Sequence, residues 1–316
     1  MSNNKQIPEV DIVVDEKAGV IREIKPEQKL RSKSGHEKRV NVGIYTILTL
    51  MAIIWLAPFV FLVFQSFRSY LTENGGMVNY LLPKTWSLDN YIWLFTDEKS
   101  LFLRWYLNTL IIALFNAVLQ TVIVLSVAYA LSRLRFKGRK LIMNAVLVLG
   151  LFPGFLTMIT LYFLLKQLGL TQNGAIPGLI LIYCASSGMG YYISKGFFDT
   201  IPKSLDESAR IDGATRFQVF MKIIMPLAKP IVIYTILMAF MAPWGDFVFA
   251  SYVAFGTTTN YNVAVGLYQW VNVADYQGFF TRFCAGGVLV AVPITALFLA
   301  LQKYYVEGVT GGAVKG

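Results

Sequence analysis

The sequence predicts an all-α integral membrane protein with six transmembrane helices. Three observations carry this. Apolar runs near or above about 18 residues recur with few charges inside them, the length a helix needs to cross the hydrocarbon core. Charged residues make up 15 % of the 316 residues and mean hydropathy is +0.56, where soluble domains carry roughly 25 % charged residues. Lys and Arg gather in alternate connecting segments, the asymmetry that orients membrane helices.

Residues 1–40 are polar and of mixed charge and read as a flexible N-terminal tail. The first apolar run is too long and starts too late for a cleavable signal. The membrane domain is expected over 41–305, with spans at 42–67, 106–132, 141–165, 175–194, 230–255 and 282–304. Residues 306–316 form a C-terminal tail. Arg31, Lys33, Lys38 and Arg39 precede the first span; Arg133, Arg135, Lys137, Arg139 and Lys140 follow the second; Lys195, Lys203, Arg210, Arg216, Lys222 and Lys229 follow the fourth. The other connections are poorer. Segment 68–105 balances its bases with Glu73, Asp89, Asp97 and Glu98, and 256–281 holds Asp275 and no Lys or Arg before Arg282. Both tails and the two basic loops are therefore expected in the cytoplasm.

Net charge is +10, but the bases sit beside apolar spans, where topology explains them, so no nucleic-acid partner is expected. Cys184 and Cys284 lie in apolar segments as small hydrophobes. His36 is the single histidine, and neither H-E-x-x-H nor G-x-S-x-G occurs. No catalytic residue, metal site or bound cofactor is expected.

The unusual stretch is SLDESARIDGATRFQVFMKIIMPLAKP, 204–230, a charge-dense run between spans. Ser204 with Glu207 fits a capping box, as does Thr215 with Gln218. Gly213 tolerates the left-handed turn that ends a helix. Phe217, Phe220 and Ile224 fall on one helical face, and Pro226 and Pro230 punctuate the end. The spacing predicts a short helix, a glycine turn and a second helix, with Leu205, Ala209 and Asp212 on one side. A helix lying on the lipid surface would show similar features.

Glu207-Ser208-Ala209-Arg210-Ile211-Asp212-Gly213, ending Ile223-Ile224-Met225-Pro226, resembles the E-A-A-x-x-x-G … I-x-L-P loop of permeases from ATP-binding cassette importers. Ser208 stands for Ala and Met225 for Leu. The Asp-Gly-Ala form with Phe220, and the tail LQKYYVEGVTGGAVKG, are similar to the maltose/maltodextrin-type carbohydrate permeases. The resemblance implies a heterodimer with a second, related permease, seated on two ATPase subunits that bind ATP and Mg and fed by an extracytoplasmic sugar-binding protein. It implies that Glu207, Ala209, Asp212, Gly213, Ala214, Phe220 and Pro226 meet the ATPase, and that Gly311, Gly312, Lys315 and Gly316 reach it through the tail. It implies that Thr258, Thr259, Asn260 and Tyr261 face the binding protein, although they can equally pack on their own chain. The substrate it implies is a maltodextrin-like oligosaccharide; raffinose-type, galactan and uronate oligomers are the alternatives. The chain carries no G-x-x-x-x-G-K-[ST] loop.

Polar groups inside spans are functional candidates by default. Asn116, Gln120, Asn144 and Asp246 are the clearest, and Trp244-Gly245-Asp246-Phe247 resembles the W-N-[DE]-F pattern of sugar permeases. For Trp244, Asp246 and Asn116 two roles stay open, lining a substrate path or holding helices together. An ion-driven secondary carrier is the rival class, since such carriers use broken helices with buried acids. No repeat of spans is visible here, and Asp246 is the acid that lies well inside one.

Overall fold

The computed structural model describes residues 12–15, 20–23, 26–77, 80–151, 154–185, 188–272 and 278–313, with side chains from 41 to 303 within those ranges. It divides into two units, 1–61 and 62–316.

The first unit carries regular structure within residues 1–40. Ile12–Asp15 (β1) and Val20–Glu23 (β2) pair antiparallel, Ile12 opposite Glu23 and Asp15 opposite Val20. Both are rich in β-branched residues, which favour extended backbone. Helix α1, Pro26–Ser66, begins well before residue 42 and closes in the second unit. Pro26 presets the first turn, and the Glu, Gln, Lys and Arg that follow are good helix formers. A hydropathy boundary marks where lipid begins, not where a helix does.

In the second unit short helices α2 (Tyr70–Glu73) and α3 (Asp89–Thr96) precede α4 (Phe102–Arg133), α5 (Arg139–Gly150) and α6 (Gly154–Gln167). After a 3₁₀ turn at Gln172–Gly174 come α7 (Ala175–Ala185), α8 (Gly188–Thr200) and α9 (Lys203–Ile211). Then α10 (Arg216–Val219), a π-helical segment Phe220–Ile224 and α11 (Met225–Leu227) lead into α12 (Lys229–Gly245). The chain ends with α13 (Val248–Val253), a 3₁₀ turn at Thr258–Asn260, α14 (Val263–Asn272) and α15 (Phe280–Ala313).

Among the described residues four helical stretches are long and apolar enough to cross a membrane: Asn41–Ser66, Phe102–Arg133, Gln172–Thr200 and Phe280–Lys303. The expected third span is a pair, α5 and α6, bent by 103°, and Arg216–Leu227 with α12 is a second pair bent by 84°. Counting each pair as one span gives six. Gly150 and Gly154 flank the first bend, where missing side chains lower the resistance to bending. The expected fifth span, 230–255, stops at Gly245, two residues after Pro243.

Helix α4 is the hub, with α7, α8, α12 and α14 packed along it. Phe102 and Trp105 of its first turns join Trp244, Leu267 and Trp270. Its Ile112 joins Leu165, Leu179, Phe249 and Val265. Its last turns supply Leu125 and Ala128 to Phe198, Val219, Ile224 and Ile231. One helix thus feels displacement at either end of the bundle. Segment 68–101 is tied to α15 by polar groups: Asn90 donates to the carbonyls of Ser66 (2.9 Å) and Arg68 (2.8 Å) and accepts from Thr281 Oγ1 (2.9 Å). The Arg282 guanidinium lies 3.7 Å and 4.0 Å from the ring centroids of Tyr70 and Trp93, a cation–π seat for a buried charge.

Candidate functional site

The polar stretch 202–230 is a helix–turn–helix, and its turn is closed by short-range chemistry. Pro202 is the N-cap of α9, and no side chain caps that end. The Ser204–Glu207 capping box therefore does not form: Pro202 sets the helix start two residues earlier than the box requires, so Ser204 already lies inside the first turn. The C-terminus is a Schellman motif. Ala214 N donates to Ala209 O (2.9 Å) and Gly213 N to Arg210 O (3.2 Å), with Gly213 at φ +86°. The second capping box does form: Thr215 N donates to Gln218 Oε1 (2.8 Å) and Gln218 N to Thr215 Oγ1 (3.2 Å).

After Val219 the helix widens into π geometry. The buried residues become Val219 and Ile224, five apart, in place of the expected Phe217, Phe220 and Ile224. A π turn inserts one residue per turn, so it shifts the face. Phe217 is left 71 % exposed, and Phe220 packs on Tyr129 of α4, ring centroids 4.7 Å apart. Ala209 and Ala214, half-buried, pack toward the chain's own cluster around Phe198 and Val219. Their small size lets α9 close on the bundle. Glu207, Asp212, Gly213 and Pro226 are exposed, and so is Ile211, at 86 %. Ile211 and Phe217 leave an apolar surface on the loop.

Arg133 and Lys195, topology markers in the sequence, help anchor the loop. Arg133 ends α4; its Nη2 donates to Phe198 O (2.9 Å) and Ile201 O (2.7 Å). Its Nε lies 3.2 Å from Asp206 Oδ2, an ion pair rather than a well-angled hydrogen bond. Ser132 Oγ donates to Asp199 Oδ1 (2.6 Å), and Lys195 pairs with Asp199 one turn away. Burial pushes the Asp206 carboxyl up, against the opposing pull of Arg133. Beside the pair lies a cleft of about 380 Å³ lined by Arg133, Arg135, Arg139, Lys203, Arg210 and Arg216 with Asp206 and Glu207.

The polar residues of the spans separate. Asn116 of α4 is fully buried and donates from Nδ2 to Ala239 O of α12 (2.7 Å), joining the two helices. Trp244 is buried between Phe240 and Tyr106, ring centroids 5.9 Å and 5.3 Å away. Gln120 is half-buried, and Asn144 is exposed on α5. Asp246 is not inside a helix: it follows the last residue of α12. Its Oδ1 accepts from Phe249 N (3.1 Å) at the start of α13, and its Oδ2 accepts from Tyr183 of α7. Asn262 donates to the carbonyls of Asp246 (2.6 Å) and Pro243 (3.2 Å) and accepts from Val265 N (2.9 Å). These bonds satisfy the backbone groups that a broken membrane helix exposes. Only the position of Asn262 in a loop argued against noticing it in the sequence.

Thr258, Thr259, Asn260 and Tyr261 pack on their own chain through backbone carbonyls. Trp105 Nε1 donates to Thr258 O (2.7 Å), and Asn108 Nδ2 to Thr259 O (2.9 Å) and Tyr261 O (3.0 Å). Asn260 Nδ2 donates to Gln172 O (2.9 Å). The Thr258 residue is exposed and the other three are half-buried. In the tail, Gly311 and Gly312 continue α15, while Lys315 and Gly316 lie outside the described residues.

The bent and broken helices around α4 form the fold of an importer permease: the chain is similar to a solved bacterial ABC transporter involved in the import of the acidic polysaccharide alginate, with TM-score 0.72 and 23 % identity over 85 % of this chain and 98 % of that one. Residues 122–310 match the binding-protein-dependent transport system inner membrane component family, and the chain belongs to it. Two similar relatives from Bacillus subtilis (strain 168) are the galactooligosaccharides transport system permease protein GanQ, 38 % identical over 86 % of this chain and 94 % of the relative, and the maltodextrin transport system permease protein MdxG, 36 % identical over 86 % and 95 %. The family match begins inside α4 and spans the helix–turn–helix, Asp246 and the 258–261 turn.

Proposed function

We propose that this chain is a membrane-spanning subunit of an ATP-driven oligosaccharide importer, and that 202–230 is the loop through which ATPase closure moves the bundle. The observation that supports it most is the loop's construction in a member of this family. Both ends of its turn are capped, its inner side is seated on α4, and Glu207, Ile211, Asp212 and Phe217 are presented outward. ATP and Mg belong to two separate ATPase subunits, which dock on this loop and on the C-terminal tail. A second, related permease completes the pathway, and an extracytoplasmic sugar-binding protein delivers substrate to the face holding Thr258–Asn260 and Tyr261. The Lys and Arg asymmetry supports a cytoplasmic location for both tails and for 202–230.

Maltodextrin-like oligosaccharides are the substrate class. The 38 % identity to a galactooligosaccharide permease supports a second reading, galacto-oligosaccharides. Competition between maltotriose and a galacto-oligosaccharide for uptake by the intact transporter separates the two.

Topology and assembly test the whole. Accessibility tags at residues 137 and 205 are expected inside the cell and tags at 80 and 260 outside, and an affinity tag on the chain is expected to capture an ATPase. A tag at 205 read from outside sinks the reading, because no cytoplasmic ATPase reaches it.

Gly213 gives a sharper test of the turn. Nothing lies within 4 Å of the position its Cβ would take, so a substitution there perturbs backbone alone. At φ +86° a β-branched side chain is strained by roughly 1–3 kcal/mol, and Asn tolerates the region best after Gly. Uptake is expected to fall in the order Gly213→Asn, Gly213→Ala, Gly213→Val, with ATPase capture falling alongside. Three variants that transport alike would remove the turn from the mechanism.

A further inference from the structure

Arg133 is the place where the helix–turn–helix meets the hub of the bundle. Its side chain is 3 % exposed and that of Asp206 15 %. An arginine cannot shed its charge, so a buried one must find acceptors. It finds three on two other elements. Phe198 sits in the last turns of α8 and Ile201 just beyond it, where helix carbonyls lack intrahelical partners and a cation is favoured. Asp206 sits in the first turn of α9, where an anion is favoured. One guanidinium thus joins the C-terminus of α4, the end of α8 and the start of α9.

Connectivity makes this joint matter. Motion of α9 passes along the chain to α8 on one side and to α10–α12 on the other. Helix α4 is remote in sequence and receives that motion only across noncovalent contacts. Part of that contact is apolar, Leu125 and Ala128 near Val219 and Ile224. Apolar burial is non-directional and leaves surfaces free to slide. The charge-assisted bonds from the planar Arg133 guanidinium to the Phe198 and Ile201 carbonyls fix direction as well as distance, and the ion pair to Asp206 adds a charge-specific contact with α9.

We propose that Arg133 and Asp206 are positioning residues that transmit movement of the 202–230 loop to α4, and through α4 to the helices packed along it. This rests on reading that loop as the ATPase-docking element. Glu207 and Asp212 face outward to the partner; Arg133 and Asp206 face inward and carry the stroke.

The test uses the full transporter in lipid vesicles, with ATP hydrolysis measured per assembled complex in the presence and absence of sugar-loaded binding protein. In Arg133→Gln and Asp206→Asn the ratio of stimulated to unstimulated hydrolysis is expected to fall by about five-fold or more, the lower end of typical coupling between sites. Asp206→Glu, which keeps the charge, is expected to restore most of it. The double variant Arg133→Gln/Asp206→Asn is expected to be no worse than Arg133→Gln, because the two side chains act as one unit. Asp206→Asn leaves both carbonyl bonds of Arg133 available, so it reports even if Arg133→Gln assembles poorly. A purely structural role would lower the yield of complex and leave the ratio intact, and that result overturns the inference. A parent chain that captures no ATPase overturns the reading of the loop itself, and this inference with it.

Discussion

Glu207→Lys is expected to abolish sugar-stimulated ATP hydrolysis and uptake while the chain still inserts and folds. Glu207 is exposed on α9, and no hydrogen bond or ion pair to it occurs within the chain among the described residues. Its replacement therefore leaves the bundle intact. It does alter the cleft, where Arg133, Arg135, Arg139, Lys203, Arg210 and Arg216 already gather. A further cation there turns an attractive contact with a basic partner group into a repulsive one, a change worth several kcal/mol when the contact is shielded from water. The Arg133–Asp206 pair should survive, because Glu207 is a like charge that pushes the Asp206 carboxyl up and its removal favours the ionised form. Loss of coupling in Glu207→Lys is thus assigned to the outward contact. The measurement is ATPase capture and stimulated hydrolysis beside a folding control such as gel-filtration profile in detergent. Unchanged stimulation would remove Glu207 from the interface with the ATPase.

The parts of this molecule that could be read from sequence are those set by interactions a few residues long. The Gly213 turn and the Thr215–Gln218 box close over spans of five residues or fewer, and both are present. The spans were legible because hydropathy is a local sum. The first cap was misread for an equally local reason: Pro202 competes with Ser204 for the helix start, and proline presets φ without needing a side-chain bond. What stayed hidden depends on partners far along the chain. Arg133 and Asp206 meet across 73 positions (206 − 133), and a basic residue after an apolar run looks the same whether it orients a span or holds a carboxylate. Asp246 looked like a charge buried in a helix because the break that follows Gly245 is stabilised by Tyr183 and Asn262, neither of which is adjacent to it in sequence. The π segment was hidden because one extra residue per turn leaves no compositional mark, yet it turns Phe217 outward and Val219 inward.

Gly266→Val is expected to produce a large loss of stability, with Gly266→Ala smaller but still measurable. Gly266 lies in α14 against α4. A Cβ there would stand 2.1 Å from Cδ2 and Cε3 of the Trp105 indole and 2.7 Å from Cζ3. The ring cannot swing aside cheaply. It is buried, lies against Trp270 with ring centroids 5.3 Å apart, and donates from Nε1 to Thr258 O. Accommodating one methyl therefore requires α14 to move away from α4 or the indole to leave its rotamer. Overpacking of this kind costs about 1–3 kcal/mol, and the two further methyls of Val add to it. The consequence reaches beyond stability. If the indole shifts, the 3₁₀ turn Thr258–Asn260 loses one of its bonds to α4, that from Trp105, and is left with those from Asn108 of α4 and to the Gln172 turn. A thermal melt of the purified complex in detergent should therefore show Gly266→Val below Gly266→Ala below the parent. Protease accessibility near residue 258 should rise in the same order. Melting at the parent temperature in both variants would show that α14 and the indole are free to separate, and that the 258–261 turn is not held by packing on α4.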